Sequence, residues 1–321
     1  MVMNNANVGS SGADWVPVAC LLATGALLGL STNMAKLAGM HGLDALPFLA
    51  WSLVGGALIL GARAAVEHTW LPLHRRTAEY FMVSALFSVA GPQFLFFSAL
   101  AHVGTSFVAL AIALPPLFTC LAVLMLGMEK FAIVRAAGVA FALFDAGLLG
   151  IMKLDTPGAK TRWILITLAG PVVLVAGNIY RTLRWPQNTP LDALAPGMLA
   201  AAAVLLLLVG AVPGFSLAVP LDSAVPALLI AAQTAAFALE YFLFLIPQDC
   251  GGPVYVRFLG AVGALVGFPK AIFLIGEAAP AGVLAGGALI AGGVFLIMLG
   301  GPAAAPSKKA SFAVTRNAQR P

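Results

Sequence analysis

Charged residues are scarce in this sequence. Asp, Glu, Lys and Arg make up 9% of its 321 residues, and 61% are hydrophobic. Soluble domains carry about 25% charged residues. A chain this apolar cannot hide its surface in a soluble core, so the composition excludes an ordinary soluble protein and predicts one that lies in a lipid bilayer. The length has room for about ten spans of about 20 residues with short connections.

Cysteine and histidine are also scarce. The three cysteines are too few and too dispersed for a disulfide framework or a metal site: Cys20, Cys120 and Cys250. The four histidines all fall in predicted connections or at span ends: His41, His68, His74 and His102. No phosphate loop of the Gly-x4-Gly-Lys-Ser/Thr type occurs, and no basic run suggests nucleic acid. The sequence therefore predicts no catalytic residue, cofactor, metal or nucleic-acid partner.

Hydrophobic runs predict ten helices between an N-terminal tail, 1–14, and a disordered basic tail, 302–321. Their bounds are Trp15–Gly39, Ala45–Val66, Glu79–Leu100, Thr105–Gly127, Phe131–Met152, Arg162–Leu183, Leu191–Val212, Ala224–Ile246, Pro253–Ile275 and Pro280–Gly300. The predicted fold class is an all-α integral membrane protein with ten transmembrane helices.

The two halves of the chain share sequence markers. Gly104 and Glu129 recur 148 positions later as Gly252 and Glu277, and the pair Asn33-x-x-Lys36 recurs as Asn178-x-x-Arg181. We predict a first five-helix repeat at 15–152, a connection at 153–161 and a second repeat at 162–301. Because five is odd, the repeats lie antiparallel. Transporters with such inverted repeats bind their substrate near the midplane.

The first repeat contains the pattern Ala99-x5-Thr105-x9-Pro115-x11-Gly127-Met128-Glu129-x8-Gly138. This pattern resembles the EamA-type drug/metabolite transporter superfamily. The second repeat departs from it, with Gly263 where the first has Pro115, which leaves the subfamily open.

The resemblance implies a ten-helix exporter of small metabolites in a bacterial inner membrane, either a monomer or a homodimer. The first, third, fourth, sixth, eighth and ninth spans would line its central cavity. By resemblance, its solutes are amino acids or opine-type metallophores.

Polar and aromatic residues inside the spans are the candidate substrate-binding groups. An ionisable group at the membrane centre costs about 2.5–3.5 kcal/mol on insertion scales, so each one needs an explanation. The eighth span has the deepest acid, Glu240, on a helical stripe with Gln233, Phe237 and Phe244. The full substrate-binding set is Gln93, Phe97, Gln233, Phe237, Glu240, Tyr241, Arg257 and Phe268.

Several of these residues have a structural alternative. Glu240, which we take as a candidate proton carrier, can instead pair with Arg257. Asp145 can pair with Lys270 or line a polar path. The predicted coupling or gating residues are Glu240, Asn33, Lys36, Asn178, Arg181 and Lys270. For the two Asn–base pairs the alternative is that Asn satisfies a backbone group while the base reaches toward the membrane surface.

The sequence leaves three hypotheses for the function, each from a different class of protein. The sequence favours a secondary transporter that works by alternating access on zwitterionic or amphipathic solutes. With no nucleotide-binding loop, an ion gradient, protons included, or the solute gradient supplies its energy. The alternatives are an intramembrane enzyme, for which no Ser/His pair, paired Asp or metal-ligand spacing occurs within the spans, and a non-transporting scaffold.

The asymmetry of Lys and Arg predicts that both termini are cytoplasmic. Eleven basic residues then lie inside, and three lie outside: Lys153, Lys160 and Arg162. Reporters fused after Arg76, Lys130 and Pro321 should report the cytoplasm, and those after Asp44 and Asp222 the outside. A cytoplasmic signal from the connection at 153–161 would contradict the inverted arrangement.

Overall fold

All regular secondary structure in the described part of the chain is helical. The computed structural model describes residues 15–69, 74–125, 161–186, 191–220, 222–256, 262–263 and 266. Its helices are α1 (Trp15–Met40), α2 (Ala45–Val66), α3 (Arg75–Ser84), α4 (Gly91–Val103), α5 (Thr105–Ile112), α6 (Pro115–Met125), α7 (Thr161–Leu183), α8 (Leu191–Gly210) and α9 (Val225–Val256). A π-helical stretch, Ala85–Ala90, joins α3 to α4.

Six helical segments in these ranges are long and apolar enough to cross a membrane. They are Ala19–Met40, Ala45–Val66, Arg75–Val103, Thr161–Arg181, Ala193–Gly210 and Val225–Ile246. The chain is thus an all-helical membrane protein with several spans. The predicted spans at 131–152 and 280–300, and most of the span at 253–275, lie outside the described residues.

The predicted fourth span is broken in the middle. Pro115 cannot donate a backbone hydrogen bond, and α5 ends at Ile112 before α6 begins at Pro115. Between them, the amides of Ala113 and Leu114 bond to carbonyls three residues back, at 3.0 and 3.1 Å. All eight residues of α5 are buried. The proline therefore coincides with the break in this span.

The prediction that a helix ends between the eighth and ninth spans is wrong. We expected a break at residues 247–252, where Pro247, Gly251 and Gly252 favour a turn. Instead α9 continues through them to Val256. Proline and glycine mark helix ends only with some probability, and membrane helices tolerate proline where neighbouring groups satisfy the freed carbonyl.

Aromatic and cation–π contacts show which helix ends meet. At one end, Tyr80 of α3 stacks on Tyr180 of α7 with ring centroids 6.3 Å apart, and Arg63 of α2 lies 4.1 Å from the ring of Phe242 in α9. These contacts join the early part of the span Arg75–Val103 to the end of α7, and the end of α2 to the later half of α9. The first pair therefore runs in opposite directions, whereas α2 and α9 run in the same direction.

Packing in the bundle is closest where glycine faces another backbone. α7 lies against the π-helical stretch and α4. A Cβ at Gly177 would meet the side chain of Ser88 and, at 2.7 Å, the backbone carbonyl of Phe87. This position brings the next residue, Asn178, beside the π-helical stretch.

We expect Gly177→Ala to lower the apparent melting temperature in detergent, because the Phe87 backbone cannot move away from the new methyl group. Overpacking of this kind costs about 1–3 kcal/mol. Gly39→Ala is the matched control, since a Cβ there meets nothing within 4 Å. Equal melting temperatures for the two variants would contradict the packing described here.

Candidate functional site

A cavity lies at the centre of the described helices. It encloses about 590 Å³ of space between atoms, its opening included, and its walls are mostly apolar. Every described span except α2 and α8 contributes to it. The lining residues are Leu28, Ser88, Pro92, Gln93, Phe96, Ile112, Pro115, Leu174, Asn178, Glu240, Tyr241 and Phe244.

The irregular backbone of the bundle borders this cavity. The amide of Gly91 bonds to the carbonyl of Leu86, five residues back, which is the π-helical spacing. Ser88 in this stretch and Pro92 just after it line the cavity, and so do Ile112 and Pro115 on either side of the break between α5 and α6. In membrane proteins, backbone of this kind occurs where it is buried in protein or lines a water-filled space.

Glu240 is the acidic residue among those that line the cavity. Its side chain is 4% exposed, and within the described residues its Oε2 atom has no hydrogen-bond partner. Its predicted partner, Arg257, lies outside the described residues, so the pairing hypothesis stays open. A buried carboxyl group with a free oxygen at a cavity wall is able to bind a cation or a proton.

The rest of the predicted α9 stripe divides between cavity and packing. Tyr241 and Phe244 line the cavity beside Glu240. Phe237 is fully buried and packs edge-on against Tyr241, with centroids 6.2 Å apart. Gln233 donates from Nε2 to Ser31 Oγ of α1 at 2.9 Å. Gln233 and Phe237 therefore support the wall from behind and do not line it.

The predicted residues of the third span divide in the same way. Gln93 lines the cavity within hydrogen-bonding reach of Tyr241. Phe97 points elsewhere and packs on Phe48 of α2, with centroids 6.0 Å apart. The cavity residue is Phe96, which the sequence argument missed; a Cβ at Gly170 would collide with its ring, so glycine there leaves room for it.

Arg181 is the most unexpected residue of the site. It is 0% exposed, so the alternative that it reaches the membrane surface is wrong. Its Nη2 donates to Asn178 Oδ1 at 2.5 Å, and its guanidinium lies 4.5 Å from the ring centroid of Phe244. Asn178 and Phe244 both line the cavity. The guanidinium is thus held directly behind the cavity wall.

The corresponding pair in α1 lies outside the lining. Asn33 is buried and donates from Nδ2 to the carbonyl of Gly29 at 2.9 Å, while Lys36 is partly exposed. This bond agrees with the interpretation that Asn satisfies a backbone carbonyl. Arg257, Phe268, Lys270, Asp145, Glu129 and Glu277 lie outside the described residues, so their predicted roles stay predictions.

Comparison with known proteins bears on what such a cavity does. A sequence profile described as the EamA-like transporter family matches residues 15–152. Over these residues the chain is similar to the EamA-like transporter family. The resemblance seen in the sequence is thereby confirmed for that segment. The match implies a multi-pass membrane protein that acts as a secondary transporter, since members of this family are generally transporters and not enzymes.

The fold of this EamA-like chain is also found among solved structures. One of them, titled only as the crystal structure of a protein, superposes with a TM-score of 0.61 at 20% identity. The match covers 88% of this chain and 96% of the other. At that identity the likeness shows the fold alone. No curated protein matches the chain.

The bond between Gln233 and Ser31 should stabilise the EamA-like bundle without acting on the solute. We expect Gln233→Leu and Ser31→Ala each to lower the free energy of unfolding by about 1 kcal/mol, the value typical of hydrogen bonds between membrane helices. The loss would be measured as a lower melting temperature. The double variant should lose little more than either single one, because both remove the same bond. Fully additive losses, or weakened solute binding, would contradict this assignment.

Proposed function

We propose that this EamA-like protein exports small zwitterionic or amphipathic metabolites, such as amino acids or amino-acid-derived compounds, by alternating access through the central cavity. Ten helices in two inverted five-helix repeats would form the whole transporter. The family match ends at residue 152, where the predicted first repeat ends, and this supports the division.

The observation that carries the proposal is the composition of the cavity. Glu240 supplies a buried carboxyl group, and the buried guanidinium of Arg181 lies immediately behind the wall, 4.5 Å from the ring centroid of Phe244. Neither forms an ion pair with another described residue. Between them the lining is aromatic and aliphatic, with the amides of Gln93 and Asn178 and the hydroxyl of Ser88 as added polar groups. Groups of both signs in an apolar chamber suit a solute with both charges and an apolar body.

The backbone around the cavity supports a change of access. The break between α5 and α6 and the π-helical stretch before α4 both lie at the wall. Discontinuous helices near the substrate site are typical of secondary transporters. Hinging at these points would open one end of the cavity as the other closes.

The distribution of arginine supports the predicted sidedness. The helix ends that meet at Tyr80, Tyr180 and Phe242 are also the ends that bear basic residues. These are Arg63, Arg75, Arg76, Arg181 and Arg184. Positive charge gathers on the cytoplasmic side of membrane proteins, so we assign this end to the cytoplasm.

Flux into liposomes without ATP tests the proposed function. The purified protein should exchange at least one labelled amino acid or amino-acid derivative across the membrane in counterflow. Metabolites that leave overexpressing cells would supply the candidates for this screen. Transport of none of them by folded protein would contradict the proposed substrate class.

Glu240→Gln tests whether the acid couples transport to protons. The amide cannot carry a proton, so the variant should lose flux driven by a pH gradient and keep solute counterflow. Glu67→Gln is the matched control: Glu67 lies just after α2 and forms a surface ion pair with Arg63, which contributes little.

Two other outcomes for Glu240→Gln would overturn this role. Normal folding and transport with an unchanged pH dependence would remove Glu240 from coupling. Poor folding that is rescued by adding Arg257→Gln would instead support the hypothesis that Glu240 pairs with Arg257.

A further inference from the structure

We propose that Arg181 is the specificity-determining residue of the cavity, which recognises the carboxylate group of the solute. The inference rests on the proposed function, since it names the solute class of the same cavity. It predicts that an acidic group is required and that neutral or purely cationic analogues are poor solutes.

The first argument is the state of the guanidinium. Arg181 is fully buried and keeps its charge under all ordinary conditions, because guanidinium does not lose its proton in proteins. Of its donor nitrogens only Nη2 bonds to a described residue, the Asn178 oxygen, while Nε and Nη1 have no partner among the described residues. A buried cation without an anion is expensive. A solute carboxylate would supply the missing charge and acceptors.

The second argument is position. Two neighbours of Arg181 belong to the cavity lining: Asn178 and Phe244. The hydrogen bond from Arg181 to Asn178 and the ring of Phe244 fix the guanidinium at the wall rather than deeper in the bundle. A small movement of the Phe244 ring or of Tyr241 would expose it to a bound solute.

The third argument is the contrast with nearby arginines. Arg63 lies near the same end of the bundle but is partly exposed and paired with Glu67 at 2.9 Å. Arg184, three residues beyond Arg181 and just after the end of α7, is exposed. Their charges are solvated or neutralised, as is usual near a membrane surface. Among these three, Arg181 is the buried one, and no acid of the described residues pairs with it.

Binding to matched pairs of an acid and its amide tests the assignment. Thermal stabilisation in detergent would be titrated with L-phenylalanine against L-phenylalaninamide, and with L-leucine against L-leucinamide. Each pair differs only in the carboxylate. The wild type should bind the acids at least about tenfold more tightly than the amides, as expected for a charge-assisted hydrogen bond.

The variants locate this preference. Arg181→Gln should abolish it, and Arg181→Lys, which keeps the charge without the planar fork, should retain only part of it. Arg184→Gln is the matched control and should behave as the wild type. If Arg181→Gln does not fold, the ratio of the affinities for acid and amide measured on Arg181→Lys decides whether Arg181 recognises the carboxylate.

Three results would overturn the assignment. One is equal binding of acid and amide by the wild type, and another is an unchanged preference in both Arg181 variants. The third is flux of amines or neutral solutes in the liposome screen with no acid transported. That last result would contradict the role of Arg181 but leave the proposed transport function standing. If the protein instead bound acids more tightly than amides but transported no solute, the proposed function would fail and the role of Arg181 would stand.

Discussion

The burial of charge inside an apolar bundle is the constraint on which the rest of this structure depends. Charged residues make up only 9% of the chain. Burying an acid and an arginine in one small region of it is costly in free energy. Glu240 and Arg181 are 4% and 0% exposed, and each keeps polar atoms that no described residue satisfies. Such groups persist in membranes where they pair, meet water or bind a ligand. The cavity beside these residues can hold water or a ligand, and the proposed transport cycle uses both.

The backbone around the cavity obeys a related constraint. An amide or carbonyl that a helix leaves unsatisfied cannot face lipid, so breaks in helices must lie inside the protein. Here the break after Ile112 and the π-helical stretch before Gly91 both border the cavity. The same interior therefore holds the two buried charged residues and the points where helices can hinge. That coincidence joins binding to movement in the proposed function.

Composition and hydrophobic runs were enough to predict the membrane class, and they placed α2 at its observed bounds. They also identified Gln93, Glu240, Tyr241 and Asn178 as residues of interest, because polar groups in a span are costly and stand out. Composition and hydrophobic runs could not tell whether Phe96 or Phe97 lines the cavity. These residues lie about 60° and about 40° to either side of Gln93 on an α-helix, so periodicity alone cannot say which one faces the cavity.

The burial of Arg181 had no local signal either. Its position near a helix end is compatible with a side chain that reaches the surface, and residues distant in sequence, such as Phe244 of α9, help to bury it. The continuation of α9 beyond Pro247 is a similar case, since neighbours in space decide whether a proline ends a membrane helix. Long-range packing was thus the missing information.

Accessibility of the cavity from each side of the membrane is the most direct test of the whole account. Leu174→Cys, in a chain whose three cysteines are replaced by Ala, would place a single thiol on the cavity wall. Alternating access predicts that a membrane-impermeant thiol reagent labels it from either side, and that a transported solute slows labelling from both. Labelling from one side only, at a rate that solute does not change, would contradict a central cavity that opens in turn to each face.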